Sequence, residues 1–448
     1  MFNKRFLPSG FEAPSRWRSI VGLVCLLAAH PAFAINGFFI PGYGAKSLAV
    51  AGTGVAMPQD TLTTAINPAG LALIEPGIDA HAMLLHPQRE GSLDCTGIGG
   101  CSRPVADRSS REFFVVPGGG YSKRLNDDTT VGFAMYANGG LNTSYGRALY
   151  DETAQRIAGR HPGDPGFPTR GKIGVDFSQI IFAPGAAYRA TSRWTLGIAP
   201  LVILQKFSTR GFNTFAPLSA DPTSLNARGA DYEFGVGVRV GAIYQLLPKV
   251  RLGAQYTSPL FVHTHTKYSG LFVDGGHLDS PPHFTLGLSW EASAALTVGF
   301  DYQRILFAAV DTIGNRGPSA AELAGQITPA RRLGGVAGLG FGWRDLSVYK
   351  AGAIYKVNDK FTLRGGWNHN DGTVPSSQAL LAPIVPAAMQ DDVTAGFSYR
   401  LSGSSDISVA YMHAFGATTK NPHTAYFGVP VKAWAAADGL DIAFGRRF

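Results

Sequence analysis

Four histidines in one stretch of the chain are the first residues whose type and spacing could bind a metal ion. They are His263, His265, His277 and His283. Imidazole nitrogens coordinate zinc and other transition metals, and the His-x-His spacing of the first two is compatible with such a site. No pattern of carboxylate or cysteine ligands accompanies them, so we interpret the four as solvated loop histidines and predict no metal.

Nucleophilic catalysis would need a serine or cysteine beside a histidine that a third group orients. Serine and histidine are plentiful, but the sequence has no Gly-x-Ser-x-Gly element. It also has no GxxxxGK[ST] loop, the glycine-rich element that cradles nucleotide phosphates. We therefore predict a protein that is not an enzyme, needs no cofactor and does not use nucleotide energy.

The N-terminus has the three parts of a secretory signal peptide. Residues 20–29 (IVGLVCLLAA) are apolar, and Ala32-Phe33-Ala34 is a small-x-small cleavage site. The basic residues that precede the apolar run are Lys4, Arg5, Arg16 and Arg18. A short membrane anchor is the alternative, but the run is too short to span a bilayer comfortably. We expect residues 1–34 to be removed on export.

Two cysteines remain after that cleavage, Cys95 and Cys101, with the flexible sequence TGIGG between them. A close pair in an exported protein predicts a disulfide, with two free thiols as the alternative. Cys25 lies inside the apolar run rather than after it, which argues against lipidation.

The composition indicates one large all-β domain. Charged residues make up only 16% of the 448 residues, whereas 56 are glycine and 28 are phenylalanine. Beyond the signal, no apolar stretch reaches the ~18 residues that a membrane helix needs. Removing residues 1–34, with four basic residues and one acidic residue, lowers the net charge from +8 to +5. That charge is weak and scattered, so we expect no nucleic-acid partner.

Fourteen segments alternate apolar with small or polar residues at period two, the signature of β-strands. They are residues 78–87, 111–124, 129–139, 173–189, 193–207, 230–245, 250–258, 281–290, 295–303, 346–356, 360–368, 391–400, 404–413 and 439–448. Short turns and long loops alternate between them, and the chain ends in Phe448. Sorted loops, an even strand number and aromatic residues near strand ends are typical of a transmembrane β-barrel. A bilayer requires such a sheet to close, because an open edge would leave backbone groups without partners.

The interior of the predicted barrel is partly apolar. On the strand at 193–207, Leu201, Ile203 and Phe207 take the parity opposite Trp194, and on the strand at 173–189 we place Ile180 and Phe182 inward. An apolar lumen suits an apolar ligand better than a water-filled pore. Arg239, Arg364 and Arg400 also take the lumen parity and could bind a carboxylate head; the alternative is the ladder of charges common inside barrels.

Residues 35–76 precede the first predicted strand and carry too many apolar residues for a disordered tail. We predict a folded plug here and a barrel over 77–448. The run INGFFIPGYGAKSLAVAGTGVAMPQDTLTTAINPAGLALI resembles the N-terminal hatch of the FadL/TodX-type outer-membrane transporters, and residues 235–260, 359–375 and 391–415 agree with that family. The family has a fourteen-stranded barrel plugged by a small hatch and carries long-chain fatty acids or aromatic hydrocarbons.

The resemblance implies a route for the ligand: a groove between external loops, a pocket beside the N-terminal segment, then lateral exit into the membrane. Asn67, Pro68, Ala69 and Gly70 match the hatch motif. Phe38 and Phe39 are candidates for an aromatic residue that blocks the pocket. Gly139-Gly140 is our candidate for the kink in the third strand, and Pro117 with Gly118–Gly120 is the rival position.

We therefore predict a monomeric protein of the Gram-negative outer membrane, in contact with its lipid, that passively imports hydrophobic small molecules. Long-chain fatty acids are the first expectation and aromatic hydrocarbons the second. A non-specific porin and a surface adhesin that uses the long loops are the remaining alternatives. Arg147–Ala158 is expected to form a helix within one of those loops.

Overall fold

The computed structural model describes residues 36–165, 167 and 171–448; the predicted signal peptide and its cleavage site lie outside them. The strands are β1 (Gly77–Leu93), β2 (Val105–Arg108), β3 (Phe114–Arg124), β4 (Thr129–Asn142), β5 (Gly174–Arg189), β6 (Trp194–Arg210), β7 (Asp231–Leu247), β8 (Val250–Thr257), β9 (Phe261–Val262), β10 (His283–Glu291), β11 (Leu296–Ile305), β12 (Leu346–Lys356), β13 (Phe361–Asn370), β14 (Asp391–Arg400), β15 (Ser405–Asn421) and β16 (Val431–Arg447).

Among the described residues, the helices are short and lie in the N-terminal segment and the long loops. The α-helices are Ala45–Leu48, Leu149–Ile157, Val273–Gly276, Asp311–Gly314 and Ala320–Leu323. The 3₁₀-helices are Thr61–Ala65, Pro68–Leu73, Asn213–Leu218, Pro222–Ser224, Thr266–Tyr268, Phe307–Ala309, Pro329–Arg331 and Ser376–Leu381. Within the described residues no helix is both long and apolar enough to cross a membrane.

Fourteen strands form one closed antiparallel barrel, and each contains or overlaps one predicted segment. Neighbours along the chain pair in turn, and β16 pairs with β1 from Gly77 opposite Arg447 to Leu93 opposite Val431. The two short strands are additions to this wall: β2 pairs with the outer end of β1, and β9 with β7. The prediction of a fourteen-stranded barrel is confirmed.

The barrel wall separates an apolar outer surface from a lumen filled by other parts of the chain. On β6, Trp194 and Leu196 are each 45% exposed, whereas Leu201 and Ile203 are almost fully buried. This is the alternation expected of a strand between lipid and lumen. The opposite faces of one strand thus meet two different environments, as the sequence predicted.

The prediction for β5 was wrong by one residue. Ile180 and Phe182 face outward, and the inward side chains near them are Phe177 and Ile181. Consecutive isoleucines make both faces of this strand apolar, so hydrophobicity alone does not fix the register. Asp176 also lies on the outward face, at the external end of the strand.

The external loops are tied together at several points. Cys95 and Cys101 are joined by a disulfide in the connection between β1 and β2. The helix Leu149–Ile157 forms within the predicted range, and its Tyr150 hydroxyl donates to the carbonyl of Leu380 at 2.5 Å. Contacts of this kind fold the loops over the outer mouth of the barrel.

Candidate functional site

The N-terminal segment, residues 36–76, packs against the inner face of the wall, and the NPAG element explains part of the fit. Asn67 is the N-cap of the 3₁₀-helix Pro68–Leu73, accepting from the amide of Ala69 at 3.1 Å. Its side-chain amide donates to the carbonyl of Val55 at 2.8 Å. A Cβ at Gly241 would lie 1.9 Å from Asn67 Oδ1, so only glycine allows the wall to approach this closely.

Charged residues of the wall bind the backbone of the N-terminal segment. Asp301 accepts from the amides of Gly54 at 2.8 Å and Val55 at 3.1 Å. Arg239 donates to the carbonyl of Thr64 at 3.1 Å. These are buried, charge-assisted hydrogen bonds, so they hold the segment firmly to the strands.

The three lumen-parity arginines do not converge on one place. The guanidinium of Arg239 is fully buried and donates to the Tyr136 hydroxyl at 3.0 Å as well as to Thr64. Arg364 donates to Gln59 Oε1 at 2.6 Å and to Ser398 Oγ at 2.7 Å. Arg400 is exposed at the turn end of β14. None of the three lines the cavities described next, so they do not form a common carboxylate site.

An apolar groove lies between the external loops. Phe207, at the outer end of β6, forms its floor together with side chains from four loops. The other lining residues are Val175, Thr209, Phe212, Phe215, Leu218, Leu271, Phe272, Thr312, Pro318, Leu333, Leu339, Gly340, Phe341, Leu381, Ile384 and Val385. Of the described residues that line it, only Thr209 and Thr312 have polar side chains, so the groove suits an uncharged apolar molecule.

A second, tightly packed apolar cavity lies deeper and shares Phe207 and Phe272 with the groove. Its inner end is closed by Phe38 of the N-terminal segment. The Phe38 ring is 5% exposed, and its centroid lies 5.4 Å from that of Phe177 and 6.2 Å from that of Trp343. We call this cavity the inner pocket.

The barrel wall has a gap beside Phe38, between β3 and β4. Among the described residues, the ladder of these strands ends at Gly118 opposite Tyr136, although β4 continues to Asn142. The register of β4 shifts between Ala137 and Gly139, which is a β-bulge. The gap therefore lies between the two candidate kink positions, with the bulge on the Gly139 side.

The N-terminal segment occupies part of this gap. Phe39 forms an antiparallel bridge with Gly139, and the amide of Gly140 donates to the carbonyl of Phe38 at 3.0 Å. A Cβ at Gly139 would lie 1.8 Å from that carbonyl oxygen, so the close approach requires glycine. Residues 38–39 thus replace some of the hydrogen bonds that β3 does not make.

A third cavity, of about 1190 Å³, includes the gap and reaches the membrane-facing surface. Phe38 lines it on one side, and Val115, which is 70% exposed toward the outside, lines it on the other. Arg89 is the single charged residue of this lining; its guanidinium donates to the carbonyls of Asn142 and Arg111, on the two sides of the gap. We call this cavity the window.

The remaining apolar candidates lie close to these cavities without lining them. Leu201 and Ile203 pack with Leu62 and Tyr136 against the N-terminal segment. Phe39 lies beside Phe307, with ring centroids 5.9 Å apart. Of the apolar candidates Phe38, Phe39, Leu201, Ile203 and Phe207, Phe38 and Phe207 therefore line the cavities.

Two of the four histidines are buried, so their interpretation as solvated residues was wrong. His265 is fully buried, with Nε2 2.7 Å from Gln205 Oε1, and His283 is 7% exposed beside Phe39. Burial lowers the pKa of His265, against the opposing effect of Asp231, so the imidazole is neutral at pH 7. Among the described residues no group of histidine, cysteine and carboxylate side chains is placed to hold a metal ion.

Several lining residues had no signal in the sequence. Phe272, Phe341 and Trp343 come from long loops whose apolar residues follow no regular period. An unusual density of phenylalanine and tryptophan in predicted external loops was the one available sign, since surface loops are mostly polar.

A family model described as "Outer membrane protein transport protein (OMPP1/FadL/TodX)" matches residues 25–448. The crystal structure of the toluene transporter TodX of Pseudomonas putida is 19% identical, with a TM-score of 0.64 over 91% of this chain and 99% of that chain. A FadL homologue of Pseudomonas aeruginosa is 14% identical, with a TM-score of 0.66 over 92% and 100%. The toluene transporter TbuX of Ralstonia pickettii is 19% identical, with a TM-score of 0.58 over 91% and 99%. At these identities the likeness is one of fold.

A shorter match joins this chain to an uncharacterized protein of Chlorobium limicola, from the 5′ region of a phosphoenolpyruvate carboxykinase gene. The two are 43% identical over 83 residues, which are 18% of this chain and 40% of that protein. The chain thus spans less than half of the curated relative that it matches.

Proposed function

Since this chain belongs to the OMPP1/FadL/TodX family of outer-membrane transport proteins, we propose that it imports small, uncharged hydrophobic molecules across the outer membrane of a Gram-negative bacterium. The observation that carries the proposal is the order of its cavities. The groove shares walls with the inner pocket, and Phe38 alone of the N-terminal segment separates the inner pocket from the window.

The physical chemistry of an apolar ligand favours this route. Moving such a molecule from hydrocarbon into water costs roughly 0.8 kcal/mol for each CH₂ group. A path from an apolar groove to a lateral opening keeps the ligand out of a watery channel. The N-terminal segment then acts as a hatch: it stays bound to the wall through Asp301 and Arg239, while residues near Phe38 move.

Uncharged ligands fit the groove and inner pocket better than fatty acids do. Fatty acids were the first expectation because three arginines take the lumen parity. Arg239 and Arg364 are instead hydrogen-bonded to the barrel and the N-terminal segment, and Arg400 is exposed. Two of the structural relatives named above are toluene transporters, which agrees with an aromatic hydrocarbon.

Fatty acids remain a second candidate because of Arg89. This arginine has no acidic side chain within ion-pairing distance among the described residues, and it lines the otherwise uncharged window. A carboxylate that reached the window would find a guanidinium there.

Uptake of labelled toluene and labelled oleate, by cells that lack their own hydrophobe transporters, tests the proposal. We expect toluene uptake that depends on this protein and is lost in Phe207→Asp, because the new carboxylate would have to be desolvated in the groove. Val336→Asp is the matched control, since Val336 is 69% exposed on a loop.

The other outcomes distinguish fatty-acid uptake, a porin and an adhesin. Oleate uptake without toluene uptake would reject the uncharged substrate and favour the fatty-acid function. High ion conductance without uptake of either would favour a porin. No uptake and no conductance, from a protein that is folded in the membrane, would reject transport and favour an adhesin.

A further inference from the structure

The outer surface of β5 and β6 carries a cluster of charged residues that the transport route does not use. Asp176 on β5 and Lys206 on β6 take the outward parity at the external ends of their strands. Lys206 Nζ lies 2.7 Å from Asp176 Oδ2, and an Arg111 guanidinium nitrogen lies 3.9 Å from the same oxygen. Arg210, two residues beyond Ser208 on the same face of β6, is exposed.

The positive charges of this cluster outnumber the negative ones. Arg111, Lys206 and Arg210 carry three positive charges against the one carboxylate of Asp176, so the net charge of these four residues is +2. Arg210 donates to Ser144 Oγ at 3.0 Å, and no carboxylate of the described residues lies within ion-pairing distance of it. Arg111 and Arg210 line one cavity of about 640 Å³, together with Asp176 and Ser208. The cavity can therefore accept an additional anion.

An apolar wall continues directly below this cavity on the same face of the same two strands. Ile180 is opposite Leu204, and Phe182 is opposite Val202, two and four residues nearer the middle of the membrane than the pair Ser178 and Lys206. Phe182 is 37% exposed and Val202 is 39% exposed. Charged side chains thus lie above apolar side chains on this surface. A membrane lipid has the same order, with its headgroup above its acyl chains.

We propose that this surface, lined by Arg111, Lys206 and Arg210 above Phe182 and Val202, is a binding site for a phosphorylated membrane lipid. Guanidinium groups bind phosphate oxygens through paired, charge-assisted hydrogen bonds. Basic clusters at the membrane boundary are the usual recognition elements for anionic headgroups. A free phosphate would bind the three cations but make no contact with the apolar wall. A lipid would contact both, so the surface as a whole fits a lipid.

The site lies next to the window. Ser178 and Ile180, which border the apolar wall, also line the window cavity. A lipid held here would place its acyl chains along the edge of the opening. It would therefore form part of the hydrocarbon that a departing ligand enters.

Native mass spectrometry of the detergent-solubilised full-length protein, titrated with dioleoyl phosphatidylglycerol, tests the site. The double variant Arg111→Gln/Arg210→Gln should bind this lipid about a hundredfold more weakly, since each of the two lost charge-assisted hydrogen bonds is worth about tenfold in affinity. Arg111→Lys/Arg210→Lys should restore most of the binding. Arg304→Gln is the matched control, because Arg304 lies at the external end of β11 and already pairs with Asp345 at 3.4 Å.

A competition experiment distinguishes a lipid phosphate from a free phosphate and from a fatty-acid carboxylate. We expect neither inorganic phosphate nor oleate, at the concentration of the lipid, to displace phosphatidylglycerol. Equal lipid binding by the double glutamine variant and the wild type would overturn the proposal. Oleate binding that needs the same two arginines, without phosphatidylglycerol binding, would overturn it too and assign the cavity to carboxylates. Retention of the folded, heat-modifiable band on gels shows that each variant is a barrel, and none of these results depends on which molecule is transported.

Discussion

Replacing Phe38 by alanine should join the inner pocket to the window. The Phe38 ring lines both cavities, and no other residue of the N-terminal segment lines the inner pocket. Its removal opens a direct apolar passage from the external groove to the gap in the wall. We expect faster entry of labelled toluene and weaker discrimination between ligands of different size.

The magnitude follows from the aromatic contacts of this ring. Its centroid lies 4.9 Å from that of Phe39, 5.4 Å from Phe177, 5.3 Å from Phe307 and 6.2 Å from Trp343. At roughly 0.5–1.5 kcal/mol for each pair, displacing the ring costs about 2–6 kcal/mol. The range agrees with the loss of about 3–5 kcal/mol expected for a buried phenylalanine replaced by alanine. If ring displacement limits entry, even the lower value corresponds to about a thirtyfold change in rate.

The assay is the initial rate of toluene uptake into proteoliposomes, with Phe300→Ala as the control. Phe300 is 45% exposed on the outer surface of β11, so its loss changes the lipid-facing surface and leaves the cavities intact. A Phe38→Ala protein that is folded but takes up toluene at the wild-type rate would refute the assignment of Phe38 as the barrier.

Three further predictions concern the gap, the hatch and the loops. Gly139→Val should displace the Phe38 carbonyl and raise toluene uptake, whereas Gly365→Ala, where a Cβ meets nothing nearer than 3.8 Å, should leave uptake unchanged. Asp301→Ala should leave two amides of the N-terminal segment without partners, lower the free energy of unfolding by about 1–3 kcal/mol, and raise ion conductance; unchanged conductance would contradict an anchoring role. In the loop of residues 306–345, burial raises the pKa of Glu322, but hydrogen bonds led by that from Arg316 outweigh it and lower the pKa from 4.5 to about 2. The ionised Glu322 carboxylate therefore stabilises the folded loop fully above pH 4.5, and this stabilisation is lost as the pH falls toward 2. Proteolysis of the loop should increase over that interval in the wild type and stay constant in Glu322→Gln.

The wall of the barrel could be read from the sequence because one physical rule governs every strand. Lipid on one side and packed protein on the other impose a period of two. On β6 the aromatic Trp194 indicated the outward face, and parity then placed Leu201 inward. The rule failed where both faces are apolar, as at Ile180 and Ile181 of β5. There the register is set by pairing with β6, which local sequence does not encode.

The residues that line the cavities were harder to predict from the alternation of residues along the strands. Phe38 and Phe207 were found because the resemblance and the strand parity pointed to them. Trp343 and Phe272 were missed, because contacts between distant loops bring them together. The arginines show the converse: parity placed Arg239 in the lumen, but its partners Tyr136 and Thr64 depend on how the N-terminal segment folds back.

Through the bridge between Phe39 and Gly139, the N-terminal segment also pairs with the edge of β4 where β3 does not. In hydrocarbon, a backbone group without a partner costs several kcal/mol, so the edge of β4 is tolerable only while something pairs with it. On the proposed route, a withdrawal of Phe38 to admit a ligand would also withdraw the carbonyl bound to Gly140. The exposed edge of β4 would then bind the segment again once the ligand has passed. On this proposal the backbone hydrogen bonds of the wall favour the closed state, so closure would need no source of energy.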